Sequence, residues 1–183
     1  MYGYNEKKAG QVVAFFGLKA GGQINVLKLA KLLYLAERDS MAAYDEPMFY
    51  DKLVSMDHGP VTSISLNLVN GMQPSDVWPL YLSGRAGYDV IVNDTISLAE
   101  LDELSKADLT ILNTLWEKFG QYSQYQIRDW THENCQEWEN PQGSSEPIPH
   151  ERVFKFLGKK EATSLAESLQ SFRAMHKRFE AVC

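Results

Sequence analysis

Long apolar runs, paired cysteines and phosphate-binding glycine loops are all missing from this chain of 183 residues. No stretch approaches the roughly 18 consecutive apolar residues of a membrane-spanning helix. The N-terminal residues also lack the apolar segment of a signal peptide. Cys135 and Cys183 are the only cysteines, which indicates two free thiols rather than a disulfide framework. These absences predict a cytoplasmic protein that does not enter a membrane.

Known catalytic signatures are absent as well. Neither GxxxxGK[ST] nor GxGxxG occurs, and there is no GxSxG or HExxH. His132 and Cys135 have the spacing of half a zinc site, but no second pair completes it. Asp57 and His58 could form an acid–base pair, although a histidine at such a junction more often has a structural hydrogen bond. We therefore expect no catalytic site, cofactor or metal, with a hydrolase using Cys135, His132 or His58 as the enzyme alternative.

Acidic residues exceed basic ones, and the formal net charge is −6. This balance argues against broad binding to the phosphate backbone of nucleic acids. Residues 149–183 contain seven Lys or Arg against four Asp or Glu, whereas residues 1–148 contain eleven against twenty. An acidic body with a mildly basic tail fits a protein partner better than a nucleic acid.

The segment 24–44 is strongly apolar and predicts the helix around which the other elements pack. Asn25 is a favourable N-cap, and between residues 26 and 36 only Lys28 and Lys31 are charged. These two lysines and Arg38 share one narrow side of the helix, here called the cationic stripe. The simpler interpretation is a core helix with two snorkelling lysines. The functional interpretation is a water-facing stripe that binds a partner.

Capping patterns and apolar periodicity predict further helices around this one. They cover residues 6–18, 60–70, 98–104, 106–119, about 124–138, 151–157 and the chain from about residue 159. The last helix repeats apolar positions at spacings of three and four, at Ala162, Leu165, Leu169, Phe172, His176, Phe179 and Cys183. We expect this helix to pack back onto the body, with contact to a partner helix as the alternative.

Two segments between the helices predict tight turns. Residues 52–57 are expected to form a helical turn or a short helix, and His58-Gly59-Pro60 then forms a sharp corner, with Pro60 at the first position of a helix. Residues 78–82 and 88–92 are rich in aromatic and β-branched residues and predict a hairpin with the loop 83–87. The fold is therefore expected to be α+β and mainly helical, with one buried central helix and a small antiparallel β-hairpin.

Residues 140–149, with three prolines, form the one plausible linker. We therefore expect a domain over residues 1–140 and, over residues 141–183, a linker and helical extension packed on the same domain.

The ordered motifs over about residues 5–140 resemble those of the Panacea (SocA-like) family. Residues 27–36 (LKLAKLLYLA) resemble its LKLxKLLYxA helix, and residues 47–51 (PMFYD) resemble its PLFxD segment. Residues 56–61 (MDHGPV) resemble its GPV corner, and the late helix is similar to its TH…PW element. The positions that carry the resemblance are Leu27, Leu32, Leu33, Tyr34, Gly59, Pro60, Thr131, His132 and Trp138.

This resemblance implies an antitoxin that neutralises its cognate toxin by direct protein–protein contact. The name-giving member also resembles a proteolytic adaptor, so a AAA+ protease is a further partner that the resemblance implies. We expect Lys28, Lys31, Arg38 and His58 to lie near the contact surface, and His132 to approach the corner. The remaining alternative is a phage-related adaptor or anti-defence protein that binds a host protein and has no linked toxin.

Overall fold

The computed structural model describes residues 3–180, without the side chains of residues 173 and 176–180. Within that range the chain forms seven α-helices and two three-stranded antiparallel sheets, which confirms the α+β, mainly helical fold. The helices are α1 (Glu6–Lys19), α2 (Val26–Tyr44), α3 (Ser63–Val69), α4 (Lys106–Phe119), α5 (Gln124–Asn134), α6 (His150–Phe156) and α7 (Ala162–Glu180). No helix within residues 3–180 combines the length and the hydropathy of a membrane-spanning segment.

The strands are β1 (Gln23–Asn25), β2 (Leu53–Met56), β3 (Gly59–Thr62), β4 (Leu82–Ala86), β5 (Asp89–Val92) and β6 (Glu146–Pro147). One sheet has the order β1-β5-β4 and the other the order β3-β2-β6.

Helix α2 lies at the centre and contacts α1, α4, α5 and β3. Its Leu29, Leu32, Leu33 and Leu35 are fully buried in the main core. The Asn25 side chain accepts the Leu27 backbone N–H at 3.0 Å, so the helix begins at the predicted cap. The predicted central helix is confirmed.

The predicted hairpin exists, but its first strand is displaced along the chain. Trp78–Leu80 forms a single 3₁₀ turn around Pro79, and β4 begins only at Leu82. Residues 83–86 therefore belong to β4, and Gly87 and Tyr88 alone connect the two strands. Strand β1, which the sequence did not reveal, adds to β5 on its other side. The second sheet was also missed.

Strands β2 and β3 replace the helical turn and the start of the helix that were predicted around the corner. Residues 52–57 do not form a helix, because β2 pairs with both β3 and β6. Pro60, in β3, pairs with Ser55 of β2. Strand β3 lies at the edge of its sheet, where a residue without a backbone N–H is tolerated. The following helix begins at Ser63 and not at Pro60.

Two buried carboxylates hold this corner and the PMFYD segment together. Glu37 on α2 accepts the backbone N–H groups of Phe49 and Asp51, at 3.0 and 2.6 Å. Tyr50 between them has a left-handed backbone, with φ 60°. Asp51 in turn accepts the N–H groups of Ile64 and Ser65 in the first turn of α3, both at 2.9 Å. Asp51 therefore caps α3 from outside the helix, where the N-cap residue itself makes no side-chain bond.

Two other predicted helices differ in extent. Residues 98–100 form one 3₁₀ turn instead of a helix to 104. Helix α5 ends at Asn134, four residues before the predicted end, because residues 135–138 turn back with the Trp138 N–H bonded to the Cys135 carbonyl. The predicted linker also contains β6, which pairs with β2.

The C-terminal helices pack on the body. Val153 and Phe154 of α6 are fully buried in the main core. Ala162, Ala166 and Leu169 of α7 also belong to this core, and each is at most 5% exposed. The Lys159 ammonium forms an ion pair with Asp45 at 2.6 Å, after the end of α2. The predicted apolar positions at His176, Phe179 and Cys183 lie outside the described side chains. The division into residues 1–140 and 141–183 stays a prediction.

We expect Asp51→Ala to lower the free energy of unfolding by about 3 kcal/mol, because it removes several charge-assisted bonds and the α3 cap. Ser97→Ala is the matched control, since Ser97 caps an exposed 3₁₀ turn and should cost about 1 kcal/mol or less. Urea denaturation measures both changes. Equal losses for the two variants would contradict the role given to Asp51.

Candidate functional site

Lys31 is the one lysine among the largest fully buried side chains of the described residues. Its ammonium donates a hydrogen bond to the Pro60 carbonyl oxygen at 2.8 Å, which joins α2 to strand β3. Burial lowers the pKa of Lys31 to about 7, and the nearby Arg128 charge contributes to the lowering. Among the described hydrogen bonds and ion pairs, Lys31 has no carboxylate partner. The predicted exposure of Lys31 is wrong.

The other two members of the cationic stripe also point toward neighbouring elements. Lys28 donates to the Gly120 carbonyl at the end of α4, at 2.7 Å, and its ammonium lies 5.2 Å from the centre of the Trp116 ring. Arg38 forms an ion pair with the buried Glu137, with Nε and Oε1 2.6 Å apart. The water-facing stripe is therefore wrong, and the role of Lys28, Lys31 and Arg38 in partner binding stays a prediction.

Tyr34 adds a neutral donor to the Arg38–Glu137 pair. Its hydroxyl donates to Glu137 Oε1 at 2.6 Å, and both side chains are fully buried. Glu137 follows α5, so this contact joins the middle of α2 to the chain beyond that helix. The tyrosine of the LLYxA motif therefore has a structural role in this fold.

The corner at Gly59 packs directly against Lys31 and His132. Gly59 has φ +96°, which favours glycine, and a Cβ there would lie 3.0 Å from both Lys31 Nζ and His132 Nε2. The prediction that His132 approaches the corner is confirmed. The His132 ring stacks on Trp138, with ring centres 4.1 Å apart, and Trp138 Nε1 donates to the Met56 carbonyl at 2.9 Å.

The surroundings of His132 disfavour its protonated form. Burial lowers its pKa, and the charges of Lys31 and Arg128 act in the same direction. Its Nε2 atom is buried and has no hydrogen-bond partner among the described residues. Thr131 is also buried, and its hydroxyl donates to the Arg128 carbonyl within the helix at 2.7 Å.

The environment of Cys135 disfavours its use as a nucleophile. Cys135 is fully buried, and this burial raises the pKa of its thiol to about 12, which disfavours the reactive thiolate. His58 is exposed on the turn between β2 and β3. Within residues 3–180, no group of three His, Cys, Asp or Glu side chains is placed to hold a metal ion. Cys183 lies outside the described residues.

A cleft of about 780 Å³ opens beside this corner. It lies between the N-terminal ends of α2 and α5, the β2–β3 hairpin and the β4–β5 hairpin, and is here called the α2 cleft. Lys31 lies beneath the floor of this cleft, and its side chain has no exposed surface. His58 also lines the cleft. Three large side chains with substantial exposed area surround it, at Met56, Tyr88 and Tyr125.

Two arginines on different elements also line the α2 cleft. Arg85 of β4 donates to the Asn70 side chain and, at 3.0 Å, to the Gly87 carbonyl. Arg128 of α5 lies over the Tyr125 ring, with its guanidinium carbon 5.2 Å from the ring centre. We did not predict Arg85, Arg128, Tyr88 or Tyr125 as site residues. The spacing of Tyr125 and Arg128 places them on one helix face, but only the fold shows that this face meets the hairpins.

We expect Gly59→Ala to destabilise the protein by at least about 1 kcal/mol more than Gly84→Ala. Both glycines have positive φ, but only Gly59 has atoms within 4 Å of a built Cβ. The difference between the two variants therefore measures the crowding by Lys31 and His132. Chemical denaturation gives both values, and equal destabilisation would contradict the packing described here.

Lys31 should make the stability depend on pH. Its pKa is about 7 in the folded protein and near the ordinary lysine value when unfolded, so the unfolded state binds more protons between these values. Relative to Lys31→Met, the wild type should therefore gain about 1.4 kcal/mol per pH unit between about pH 7 and about pH 10.

Denaturation curves of the wild type and Lys31→Met across this pH range give the difference in their free energies of unfolding. The titration of other groups cancels in this difference because both proteins contain them. Lys28→Met is the comparison on the same helix, and we expect a smaller effect because Lys28 is only partly buried. Parallel stability curves for the wild type and Lys31→Met would show that Lys31 keeps an ordinary pKa.

Comparison with known families agrees with the motifs that converge on α2. Neither a search of curated proteins nor a search of solved structures gave a match. Residues 29–139 match the family described as "Antitoxin SocA-like, Panacea domain". This range contains most of α2, the Gly59 corner, both hairpins and α5. Because the match covers more than half of the chain, the protein belongs to the antitoxin SocA-like Panacea domain family.

Proposed function

We propose that this protein is the antitoxin of a toxin–antitoxin pair and neutralises its cognate toxin by direct binding. Membership of the SocA-like family supports a toxin partner. The mechanism would be occlusion, in which a stable complex keeps the toxin from its target. No catalytic step is needed, and none of the described side chains is assigned one.

The observation that carries this proposal is the composition of the α2 cleft. Tyrosine and arginine are enriched among the residues that dominate the binding energy of protein interfaces, and methionine is enriched in interfaces generally. The α2 cleft combines exposed Tyr88, Tyr125 and Met56 with Arg85 and Arg128. We place the toxin contact there, with His58 at the hairpin turn as a further contact residue. In this proposal Lys31 shapes the contact surface from below, whereas Lys28 and Arg38 do not line the cleft and their role in partner binding stays a prediction.

The cleft also has a rigid framework, which favours binding without a large ordering cost. The Lys31–Pro60 bond holds the β2–β3 hairpin against α2, and Trp138 holds the end of the same hairpin through the Met56 carbonyl. On the other side, the Val26 N–H donates to the Tyr88 carbonyl at 2.8 Å. Both hairpins are therefore tied to the central helix at the edge of the cleft.

The proposal is tested by co-expression with the product of the adjacent gene, followed by pull-down and a growth assay. A toxic neighbour whose effect is relieved by this protein, in a stable complex, is the expected result. A harmless neighbour that does not co-purify would contradict the antitoxin function and favour the alternative of an adaptor that binds a host protein. Delivery to a AAA+ protease stays a prediction, tested by whether the toxin level falls during neutralisation.

We expect Tyr125→Ala and Tyr88→Ala each to weaken toxin binding about tenfold or more, because both remove exposed aromatic area at the cleft. Tyr44→Ala is the matched control: Tyr44 is 52% exposed, close to the 56% of Tyr125, but lies at the far end of α2. Calorimetry of the purified complex measures the affinities. If Tyr44→Ala weakens binding and the other two do not, the contact surface lies elsewhere.

A further inference from the structure

The α2 cleft has the opposite charge balance to the chain as a whole. The protein contains 18 Lys or Arg and 24 Asp or Glu. The cleft is lined by three cations, Lys31, Arg85 and Arg128, and by one carboxylate, Asp57. A cluster of cations in a concave, partly apolar site has a positive potential that water screens less than it does on an open surface.

Two of these three cations have no ion pair among the described residues, and the third is paired with an exposed carboxylate. Lys31 and Arg85 are hydrogen-bonded to carbonyl or amide oxygens, with no ion pair described for either. Arg128 pairs with its chain neighbour Asp129, whose side chain is 56% exposed. Asp57 Oδ1 accepts the Gly143 N–H at 2.8 Å. By contrast, Lys7, Lys8, Arg38, Arg152, Lys155 and Lys159 all form ion pairs with carboxylates elsewhere in the fold.

Two helix N-termini add to the same potential. Asn25, Val26 and Leu27 at the start of α2 line the cleft, and so do Gln124 and Tyr125 at the start of α5. The positive end of each helix dipole therefore faces this region. The C-terminal end of α3 also lines the cleft at Asn70, where the Arg85 guanidinium covers its side-chain oxygen. The cleft is thus complementary to an anion.

The apolar rim favours an acidic side chain of a protein over a free inorganic anion. Most of the exposed lining is apolar, and Met56, Tyr88 and Tyr125 offer contact area that a small anion would leave uncovered. A segment with one carboxylate beside an apolar side chain satisfies both parts of the site. The carboxylate of such a segment would also pair with Arg85 and Arg128 as they become buried. This pairing would offset the cost of removing their charges from water.

We propose that the α2 cleft binds an acidic side chain of the toxin, flanked by apolar residues, between Arg85 and Arg128. This inference rests on the proposed antitoxin function and specifies the chemistry of the contact. Lys31 lies below the cleft, and its protonated form adds to the positive potential there.

The first test uses acetate as a stand-in for the acidic side chain and acetamide as its neutral isostere. The side-chain N–H signals of Arg85 and Arg128 are followed by NMR during each titration, with Arg152 as the internal reference. We expect saturable shifts at Arg85 and Arg128 with acetate only. Equal effects of acetamide, or equal shifts at Arg152, would overturn the proposal. Saturation by phosphate without any response to acetate would overturn the choice of a carboxylate.

The second test uses the complex with the adjacent gene product. Arg85→Glu and Arg128→Glu should each weaken binding more than tenfold, and replacing the contacting acidic residue of the toxin by lysine should restore binding to these variants. Lys106→Glu is the control, since Lys106 is exposed at the start of α4 and the substitution changes the net charge equally. Circular dichroism confirms that each variant is folded.

The outcomes separate this inference from the antitoxin function. If the wild type neutralises the toxin and both arginine reversals do so with undiminished affinity, the antitoxin function stands and the acidic contact is wrong. If the neighbour neither binds nor is toxic, the proposed function fails. The acetate titration then still decides whether the cleft binds carboxylates.

Discussion

The burial of charged side chains on one helix is the constraint on which the rest of this structure depends. Helix α2 is surrounded by other elements, and a buried charge without a partner is too costly to persist. Four of its charged side chains have partners in four different places. These are the Lys28 contact with the end of α4, the Lys31 contact with β3, the Glu37 contact with residues 49–51 and the Arg38 contact with Glu137. Each contact fixes one neighbour against α2.

The same contacts produce the surface on which the proposed function depends. Because Lys31 holds the β2–β3 hairpin, and the start of α2 bonds to Tyr88, the two hairpins remain apart with a cleft between them. The cleft receives exposed side chains from the hairpins and from α5. The buried Lys31 also lies beneath the cleft. The polar contacts of α2 therefore form the framework of the proposed binding surface.

The sequence predicted what local patterns determine and missed what distant contacts determine. The central helix, α1, α4 and the capping boxes follow from apolar periodicity and from residues three positions apart, so they were predictable. Strand β3 was missed because Gly59-Pro60 also fits a helix start. What excludes that start is pairing with Ser55 and the capping of α3 by Asp51. The cationic stripe was misjudged for a similar reason: its oxygen partners lie 29 to 99 residues away in the chain.

The most direct test of the account is hydrogen–deuterium exchange of this protein alone and in complex with the adjacent gene product. We predict slower exchange in the complex for residues 56–61, 85–88 and 124–128, which form the two hairpin turns and the start of α5 at the cleft. Unchanged exchange in these three segments, with protection confined to α6 and α7, would contradict the claim that the α2 cleft binds the toxin.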